Sequence, residues 1–276
     1  MELYGPAGLR AFVRTILNMT DSQCQDKYAV HELLHPGEQP SASCTPGAMR
    51  GNELEGRDIV RGGDGFWREF VKVSTNYSRR EVVVDAGQVV HRGKPHLEFT
   101  RCFPIPHLFL VPCLGYVIRE SPTKWDLKDK DEEAQAAALG RLRKLVLLGD
   151  TNNPDGIVPL VNSSAGHVAL AVHEATDCYI PTHVDPQLQT GKNRNTESVH
   201  TLSLQRGHST PHMAGKFANQ IGARRLVLNH LGGRCGDHSS WHDSRVVRNR
   251  VLIRGISVGS QHQGRAVSER TSSGRT

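Results

Sequence analysis

Three apolar stretches that each end in a polar side chain constrain the fold of this chain most strongly. They are LVLLGD (145–150), HVALAVHEAT (167–176) and RRLVLNH (224–230). Each has the length and the aliphatic content of a buried strand. Because ligands collect beyond the carboxyl ends of strands in α/β sheets, we expect the terminal polar residues to lie along one sheet edge. These residues are Asp150, His173, Glu174 and His230.

A helix is predicted between the last two of these strands, within residues 206–223. Thr210 can cap it, Pro211 suits its first position and Gly222 ends it. The order of strand, loop, helix and strand predicts a βαβ-like crossover. His208 would lie in the loop just before the helix N-terminus, where the positive end of the helix dipole favours an anionic phosphate.

The rest of the folded part shows weaker patterns. Leu3–Leu17 predicts a turn at Gly5 and Pro6 and then a helix with one apolar face, and Tyr28–Leu34 predicts a strand. Residues 35–80 are expected to be irregular. Glu81–His91 predicts two short β runs around a turn. The prolines of Phe103–Glu120 restrict that segment to an edge or to broken strands.

The net charge of +6 is concentrated near the C-terminus. Residues 231–276 hold eight arginines, no lysine and three acidic residues, a local balance of +5. The remaining residues sum to +1, so the folded part need not attract phosphate through its overall charge. We expect residues 1–234 to form one domain and residues 235–276 to be a basic, disordered tail.

The sequence also predicts the cellular location of the protein. It has neither an apolar run of about 20 residues nor a basic-then-apolar start, so no membrane helix and no signal peptide are predicted. Its six cysteines are scattered without a Cys-x-x-Cys pair, which indicates free thiols in a reducing compartment. We expect a soluble intracellular protein of the cytoplasm or nucleus, a mitochondrial location remaining open, without a membrane partner.

Several motifs together resemble ribonuclease Z, the two-zinc metallo-β-lactamase-fold nuclease that trims the 3′ end of precursor tRNA. The motifs are LYGPAGL (3–9), VPCLGYVIRE (111–120), LLGD (147–150), HEAT (173–176), GHSTP (207–211) and RLVLNH (225–230). They follow the family's order and approximate spacing over roughly half the chain. The resemblance implies an α/β protein, namely a partial metallo-β-lactamase-like αββα sandwich without its N-terminal strands.

The resemblance also implies roles for particular residues. Asp150 matches the carboxylate that bridges the two zinc ions, and His230 matches an imidazole ligand of one of them. Glu174 and His208 match a pair in which the carboxylate orients and charges the imidazole. That imidazole protonates the departing ribose 3′ oxygen, leaving a 3′ hydroxyl on the tRNA and a 5′ phosphate on the trailer. His173 would be a supporting or structural residue.

Each of these residues also has an ordinary structural interpretation. Asp150 can mark a turn, His230 can be a hydrogen-bonded core histidine and Glu174 can be a surface carboxylate. His208 can be a plain loop residue. The four together, in the order of the family, favour descent from its site.

The chain departs from the family pattern upstream. The main zinc motif, His-x-His-x-Asp-His, precedes the LYGPAGL element, which here begins at Leu3. We therefore expect an N-terminally truncated chain with an incomplete zinc-ligand set, inactive as written. His107 is the candidate for a further histidine ligand, although alignment on Val111 and Pro112 puts Phe109 at that position. The arm that grips tRNA is expected to be reduced to residues 121–144.

Three functions remain open from the sequence. The first is a zinc-dependent endonuclease that removes 3′ trailers from precursor tRNA. The second is a non-catalytic remnant of the fold. The third is a related metallo-β-lactamase-fold hydrolase of another phosphodiester, such as a cyclic nucleotide. The resemblance further implies precursor tRNA as a partner and a homodimer.

Overall fold

A computed structural model describes eight segments of the chain, namely residues 1–22, 24–41, 51–74, 81–92, 110–122, 131–179, 194–232 and 251–254. Its strands are β1 (Glu2–Pro6), β2 (Tyr28–Leu34), β3 (Glu53–Leu54), β4 (Asp58–Val60), β5 (Trp67–Ser74), β6 (Glu81–Arg92), β7 (Leu110–Ser121), β8 (Arg143–Leu148), β9 (His167–Glu174), β10 (Arg225–Asn229) and β11 (Val251–Arg254). Its helices are α1 (Leu9–Met19), α2 (Glu132–Gly140), α3 (Val158–Asn162), α4 (Thr196–Arg206) and α5 (Pro211–Gln220), and a 3₁₀ turn at Asp155–Ile157 leads into α3.

The strands form two sheets. In the first sheet, β2 pairs in parallel with β1 and with the short strands β3 and β4. The second sheet has the order β11, β10, β9, β8, β7, β6, β5. Within it β8, β9 and β10 are parallel, whereas the pairs from β5 to β8 are antiparallel. The predicted α/β class is therefore confirmed.

The two sheets pack against each other through an apolar core. Trp67 and Phe70 of β5 form one buried apolar cluster with Leu33 of β2. The indole of Trp67 also donates a hydrogen bond of 3.0 Å to the carbonyl of Leu34. Burial of one large apolar side chain stabilises a fold by about 1.5–3 kcal/mol, so this cluster holds the sheets together.

A second core lies on the opposite face of the larger sheet. Ala214, Phe217 and Ala218 of α5 pack there with Leu226 and Leu228 of β10. The 3₁₀ turn and α3 cover the neighbouring strands through other members of this cluster, Ile157, Leu160 and Val161. This core fixes α5, and with it the loop before α5, over the carboxyl ends of the parallel strands.

Helix α1 confirms the predicted helix, but its apolar residues do not all face the core. Phe12 and Ile16 are exposed, whereas Arg10 is buried. Nε and Nη2 of Arg10 donate to the carbonyl of Val30, and Nη2 also donates to Asp58 at 2.7 Å. The side chain of Glu32 accepts from the backbone of Gly8 and Arg10, so it occupies the N-terminus of α1. Polar contacts with the first sheet thus hold this helix.

Two expectations for the N-terminal half are wrong. The turn expected at Gly5 and Pro6 is part of β1, because these residues pair in parallel with β2. Residues 35–80 are not irregular throughout, since β3, β4 and β5 lie there. The backbones of β3 and β4 bond to β2, a partner distant in sequence that no local pattern reveals.

The central hairpin also differs from expectation. β6 runs without a turn through Asp85, whose carboxylate accepts from Arg119 at 2.8 Å and from the backbone of Glu69. β7 is a single long strand rather than broken strands. β7 pairs with β8 only from Gly115 onward. Pro112 therefore pairs on one side only, with β6, and a strand tolerates the missing N–H of a proline at such a position.

The remaining predictions about the organisation of the chain fall partly outside the described residues. In the reduced arm region, residues 131–144 include α2, which Asp131 caps through the backbone of Ala134. In the expected disordered tail, Val251–Arg254 form β11, antiparallel to β10, which corrects the expectation for these four residues. Within the described part of the chain, no helix is both long and apolar enough to cross a membrane.

Candidate metal centre

The carboxyl ends of three parallel strands carry the candidate residues. Asp150 follows β8, Glu174 ends β9 and His230 follows β10. Because these strands are parallel neighbours, their carboxyl ends share one edge of the sheet. The structure therefore brings together the strand-end residues that the sequence predicted to converge.

Asp150, His208 and His230 form a compact cluster. Nδ1 of His230 lies 2.9 Å from Oδ1 of Asp150, and the rings of His208 and His230 are 5.3 Å apart between centroids. One ligand atom from each of the three residues lies within 4.8 Å of the other two. One carboxylate and two imidazoles at this separation are donors that zinc accepts.

The backbone at His230 is held in an uncommon conformation. Its φ is 50°, in the left-handed region that most side chains avoid. Hydrogen bonds from Ala175 to the carbonyl of Asn229 and from Gly232 to the carbonyl of Thr176 tether both sides of this residue to the end of β9. Backbone strain of this kind is sustained where surrounding contacts fix the conformation, and it gathers at functional sites.

Glu174 is a buried carboxylate with several donors. Its Oε1 accepts from the backbone of Ser209 at 2.6 Å and lies 3.3 Å from Nδ1 of His208. Its Oε2 accepts from the backbone and the hydroxyl of Thr176. Burial raises the pKa of this carboxyl, but the bonds from His208, Thr176 and Ser209 outweigh burial and leave the pKa below its ordinary value.

His208 is placed by a short loop between two helices. Gly207 ends α4 with φ 82°, a conformation that glycine adopts without strain, and the side chain of Thr210 caps α5. The hydroxyl of Ser209 donates to the carbonyl of Thr151, beside Asp150. The Glu174 carboxylate, 3.3 Å from Nδ1, raises the pKa of His208 against the opposing effect of burial, and the charges of Asp150 and Asp177 raise this pKa further. The protonated form of the His208 ring is therefore favoured.

The other histidines that the sequence singled out have different surroundings. His173 is fully buried, with Nδ1 2.7 Å from the carbonyl oxygen of Glu174 and its ring against Phe217. Burial lowers the pKa of His173, so a neutral ring in the core is favoured. His107 lies outside the described residues.

Sequence reasoning missed two residues that support the centre, and it missed a cysteine that lies near it. Thr176, in the HEAT motif, and Ser209, in the GHSTP motif, donate hydrogen bonds to the carboxylate of Glu174. Cys113 lies on β7 near Asp150; burial raises the pKa of its thiol, and the charges of Asp150 and Glu174 raise it further. No spacing rule could have linked Cys113 to this edge, because the link depends on strand pairing.

A groove opens beside the cluster. It has a volume of about 1400 Å³ and lies between α4, α5 and the loop after Asp150. Asn152, Thr210 and Lys216 are among the residues that line it. The groove begins two residues along the chain from both Asp150 and His208, so it offers room for a ligand next to the candidate chemistry.

The fold and the site thus define a mixed α/β protein with a candidate metal centre at the carboxyl edge of its larger sheet. No family model matches the sequence. Similar curated proteins are the zinc phosphodiesterase ELAC protein 1 of Bos taurus, 24% identical over 251 residues, and that of Homo sapiens, 25% identical over 261 residues. The alignments cover 85% of this chain and 62% of each relative, so the chain spans about three fifths of their length. In sequence, the chain is ribonuclease Z-like.

A solved structure also matches. It is the human tRNase Z, short form (ELAC1), at 25% sequence identity and a TM-score of 0.47. The match covers 85% of this chain and 62% of that one.

Proposed function

We propose that this chain has the metallo-β-lactamase fold and the site of a ribonuclease Z-type zinc endonuclease, which removes 3′ trailers from precursor tRNA. The observation that carries the proposal is the convergence of Asp150, Glu174, His208 and His230 at one sheet edge. The sequence similarity to zinc phosphodiesterases supports the same reaction class.

Zinc fits the donors present. Asp150 and His230 supply a carboxylate oxygen and an imidazole nitrogen, both ordinary zinc ligands, within a cluster small enough for a single ion. When bound, zinc supplies Lewis-acid chemistry at a phosphodiester. Among the described residues this cluster accounts for one ion, so a second zinc site is not part of the proposal.

Proton donation is the role proposed for His208. Its Nδ1 faces the ionised carboxylate of Glu174, which favours the protonated ring and fixes its orientation. Nε2 can then donate to an oxygen held over the cluster. The departing ribose 3′ oxygen needs this proton, and general acids of this kind contribute roughly 10²–10⁴-fold in rate.

A non-catalytic relative is the second candidate function. The observation in its favour is the cluster itself, which within the described ranges offers donors for one ion rather than for the two of ribonuclease Z. Such a protein would bind zinc without cleaving precursor tRNA.

The deciding experiment incubates the purified, zinc-loaded chain with a precursor tRNA labelled in its 3′ trailer. The endonuclease proposal predicts a tRNA that ends in a 3′ hydroxyl and a trailer with a 5′ phosphate, formed by the wild-type chain and not by Asp150→Ala. Asp26→Ala, which removes an exposed carboxylate before β2, should cleave like the wild type. Zinc binding without cleavage would favour the non-catalytic candidate.

We also infer that the chain forms a homodimer through α1. Phe12, Ile16 and Met19 share one face of this helix and are 62%, 43% and 81% exposed. An apolar stripe of this kind on a surface helix is typical of an interaction site. Sedimentation of the wild type and of Phe12→Ser tests the inference: the variant should be monomeric, and a monomeric wild type would contradict it.

A further inference from the structure

The hydroxyl of Thr176 lies between the two halves of the candidate centre. Its Oγ1 donates a hydrogen bond of 2.8 Å to Oε2 of Glu174, the carboxylate that faces His208. The same oxygen lies 3.3 Å from Nδ1 of His230, the imidazole that joins Asp150 in the metal cluster. Thr176 thus contacts both the pair proposed for proton donation and a candidate zinc ligand.

The single hydrogen of this hydroxyl determines how the imidazole can bond to it. A hydroxyl has one hydrogen to donate, and Thr176 donates that hydrogen to Glu174. The oxygen of Thr176 therefore offers a lone pair to His230, and a lone pair bonds only to a donor such as an N–H. This contact thus requires a hydrogen on Nδ1 of His230.

The second neighbour of Nδ1 leads to the same assignment. Oδ1 of Asp150 lies 2.9 Å from Nδ1 of His230, and an ionised carboxylate has only acceptors. Both neighbours of this nitrogen therefore favour a hydrogen on it. In a neutral imidazole the other nitrogen, Nε2, then keeps the lone pair that a metal ligand needs.

The backbone holds Thr176 against the segment that carries His230. The carbonyl of Thr176 accepts a hydrogen bond of 2.9 Å from the backbone of Gly232. A Cβ on Gly232 would lie 2.5 Å from that carbonyl oxygen, so this close approach requires glycine. On the other side, the backbone N–H of Thr176 donates to Oε2 of Glu174 at 2.9 Å. The distance between the hydroxyl and the imidazole is thus fixed by contacts on both sides.

We propose that Thr176 is a positioning residue of the metal centre: its hydroxyl accepts a hydrogen bond from Nδ1 of His230 and so presents Nε2 to the zinc ion. The proposal rests on the zinc site described under the proposed function. Histidine ligands of metals generally donate their second N–H to an acceptor that fixes the tautomer and the ring orientation. Because the same hydroxyl also bonds Glu174, it joins the zinc ligand to the pair proposed for proton donation.

Zinc affinity tests the proposal without relying on turnover. Thr176→Val keeps the branched side chain but removes the hydroxyl, whereas Thr176→Ser keeps the hydroxyl. In competition with a chromophoric chelator, Thr176→Val should bind zinc roughly 10–100-fold more weakly than the wild type, the usual loss when such an acceptor is removed. Thr176→Ser should bind zinc nearly as tightly as the wild type. The matched control Thr201→Val, which removes an exposed hydroxyl from α4, should bind like the wild type.

Nuclear magnetic resonance of the wild type identifies the nitrogen that binds zinc. The histidine rings are labelled with ¹⁵N, and the signal of His230 is assigned in the metal-free chain by its absence from His230→Ala. The signal is then followed as zinc is added. The proposal predicts a hydrogen on Nδ1 and zinc on Nε2. This measurement needs no substitution at Thr176, so it holds even where a variant folds poorly.

The outcomes separate this proposal from the proposed function. Zinc on Nδ1 of His230, or wild-type zinc affinity in Thr176→Val, would overturn the role of Thr176 and leave the zinc site and the nuclease proposal standing. A loss of affinity that Thr176→Ser shares in full would do the same, because the hydroxyl would not be its cause. No zinc binding by the wild type would overturn both the metal centre and the role of Thr176. Circular dichroism of each variant confirms that the substitution leaves the fold intact.

Discussion

Nδ1 of His230 lies 2.9 Å from Oδ1 of Asp150, although the two residues follow strands that are not neighbours in the sheet. β9 lies between these strands, and the hydroxyl of Thr176 just beyond it lies 3.3 Å from the same nitrogen of His230. The cluster thus spans three parallel strand ends. Its geometry depends on the pairing of the larger sheet and on the tethered backbone around His230.

Replacing His208 by Ala should separate catalysis from metal binding. If His208 donates a proton while Asp150 and His230 hold zinc, the variant keeps its zinc and loses roughly 10²–10⁴-fold in cleavage rate. Zinc content and single-turnover cleavage measured on one preparation check both parts. His167→Ala, at the opposite end of β9, is the matched control. Zinc loss equal to that of Asp150→Ala would instead make His208 a ligand.

Glu32 should make the fold sensitive to acid. Burial raises the pKa of its carboxyl, but hydrogen bonds from Ser41 and Arg10 outweigh burial and hold the pKa below the ordinary value of 4.5. The unfolded chain therefore binds this proton more readily than the folded one. The stabilisation that ionised Glu32 contributes is fully present above about pH 4.5. It is lost as the pH falls through the pKa of Glu32 in the folded chain, which lies below that value.

Denaturant unfolding of Glu32→Gln at several pH values tests this account. At neutral pH the variant should lose about 1–3 kcal/mol, because buried donors at the start of α1 lose a charged acceptor. Below pH 4.5 its free energy of unfolding should fall less steeply than that of the wild type. Glu55→Gln, an exposed site, should follow the wild type. If the free energies of unfolding of the wild type and of Glu32→Gln changed with pH in parallel, the role of Glu32 in acid sensitivity would be contradicted.

Gly115→Ala should destabilise the core beneath the candidate site. An added Cβ would lie 2.5 Å from Cδ1 of Ile157 and 3.0 Å from a methyl group of Leu148. Overpacking of this kind costs about 1–3 kcal/mol, measurable as a lower midpoint of thermal unfolding. Gly140→Ala is the control, since nothing lies within 4 Å of its added Cβ. A fall of the same size in both variants would show that the clash is not the cause.

The convergence of the strand ends could be predicted because it follows from local information. Apolar runs reveal β8, β9 and β10, and a helix between the last two implies a parallel crossover. Thr210 and Pro211 mark the start of α5, and the structure places both as expected. Polar residues after parallel strands must then share an edge.

Features that depend on distant partners could not be predicted in this way. The residues around Asp85 predict a turn, yet an ion pair with Arg119 on the neighbouring strand stabilises Asp85 within β6. Arg10 is buried because Val30 and Asp58 bind its guanidinium. Cys113 lies near Asp150 only because β7 pairs with β8, and the sequence does not state that pairing. In each case the deciding partner lies far along the chain.

Zinc content is the most direct test of the metal centre. The chain is purified, loaded with zinc, dialysed and analysed for metal beside Asp150→Ala and the exposed-site control Asp26→Ala. The wild type and Asp26→Ala should retain stoichiometric zinc, and Asp150→Ala should retain almost none. Equal zinc in all three proteins, or none in the wild type, would contradict a metal site built on Asp150 and His230.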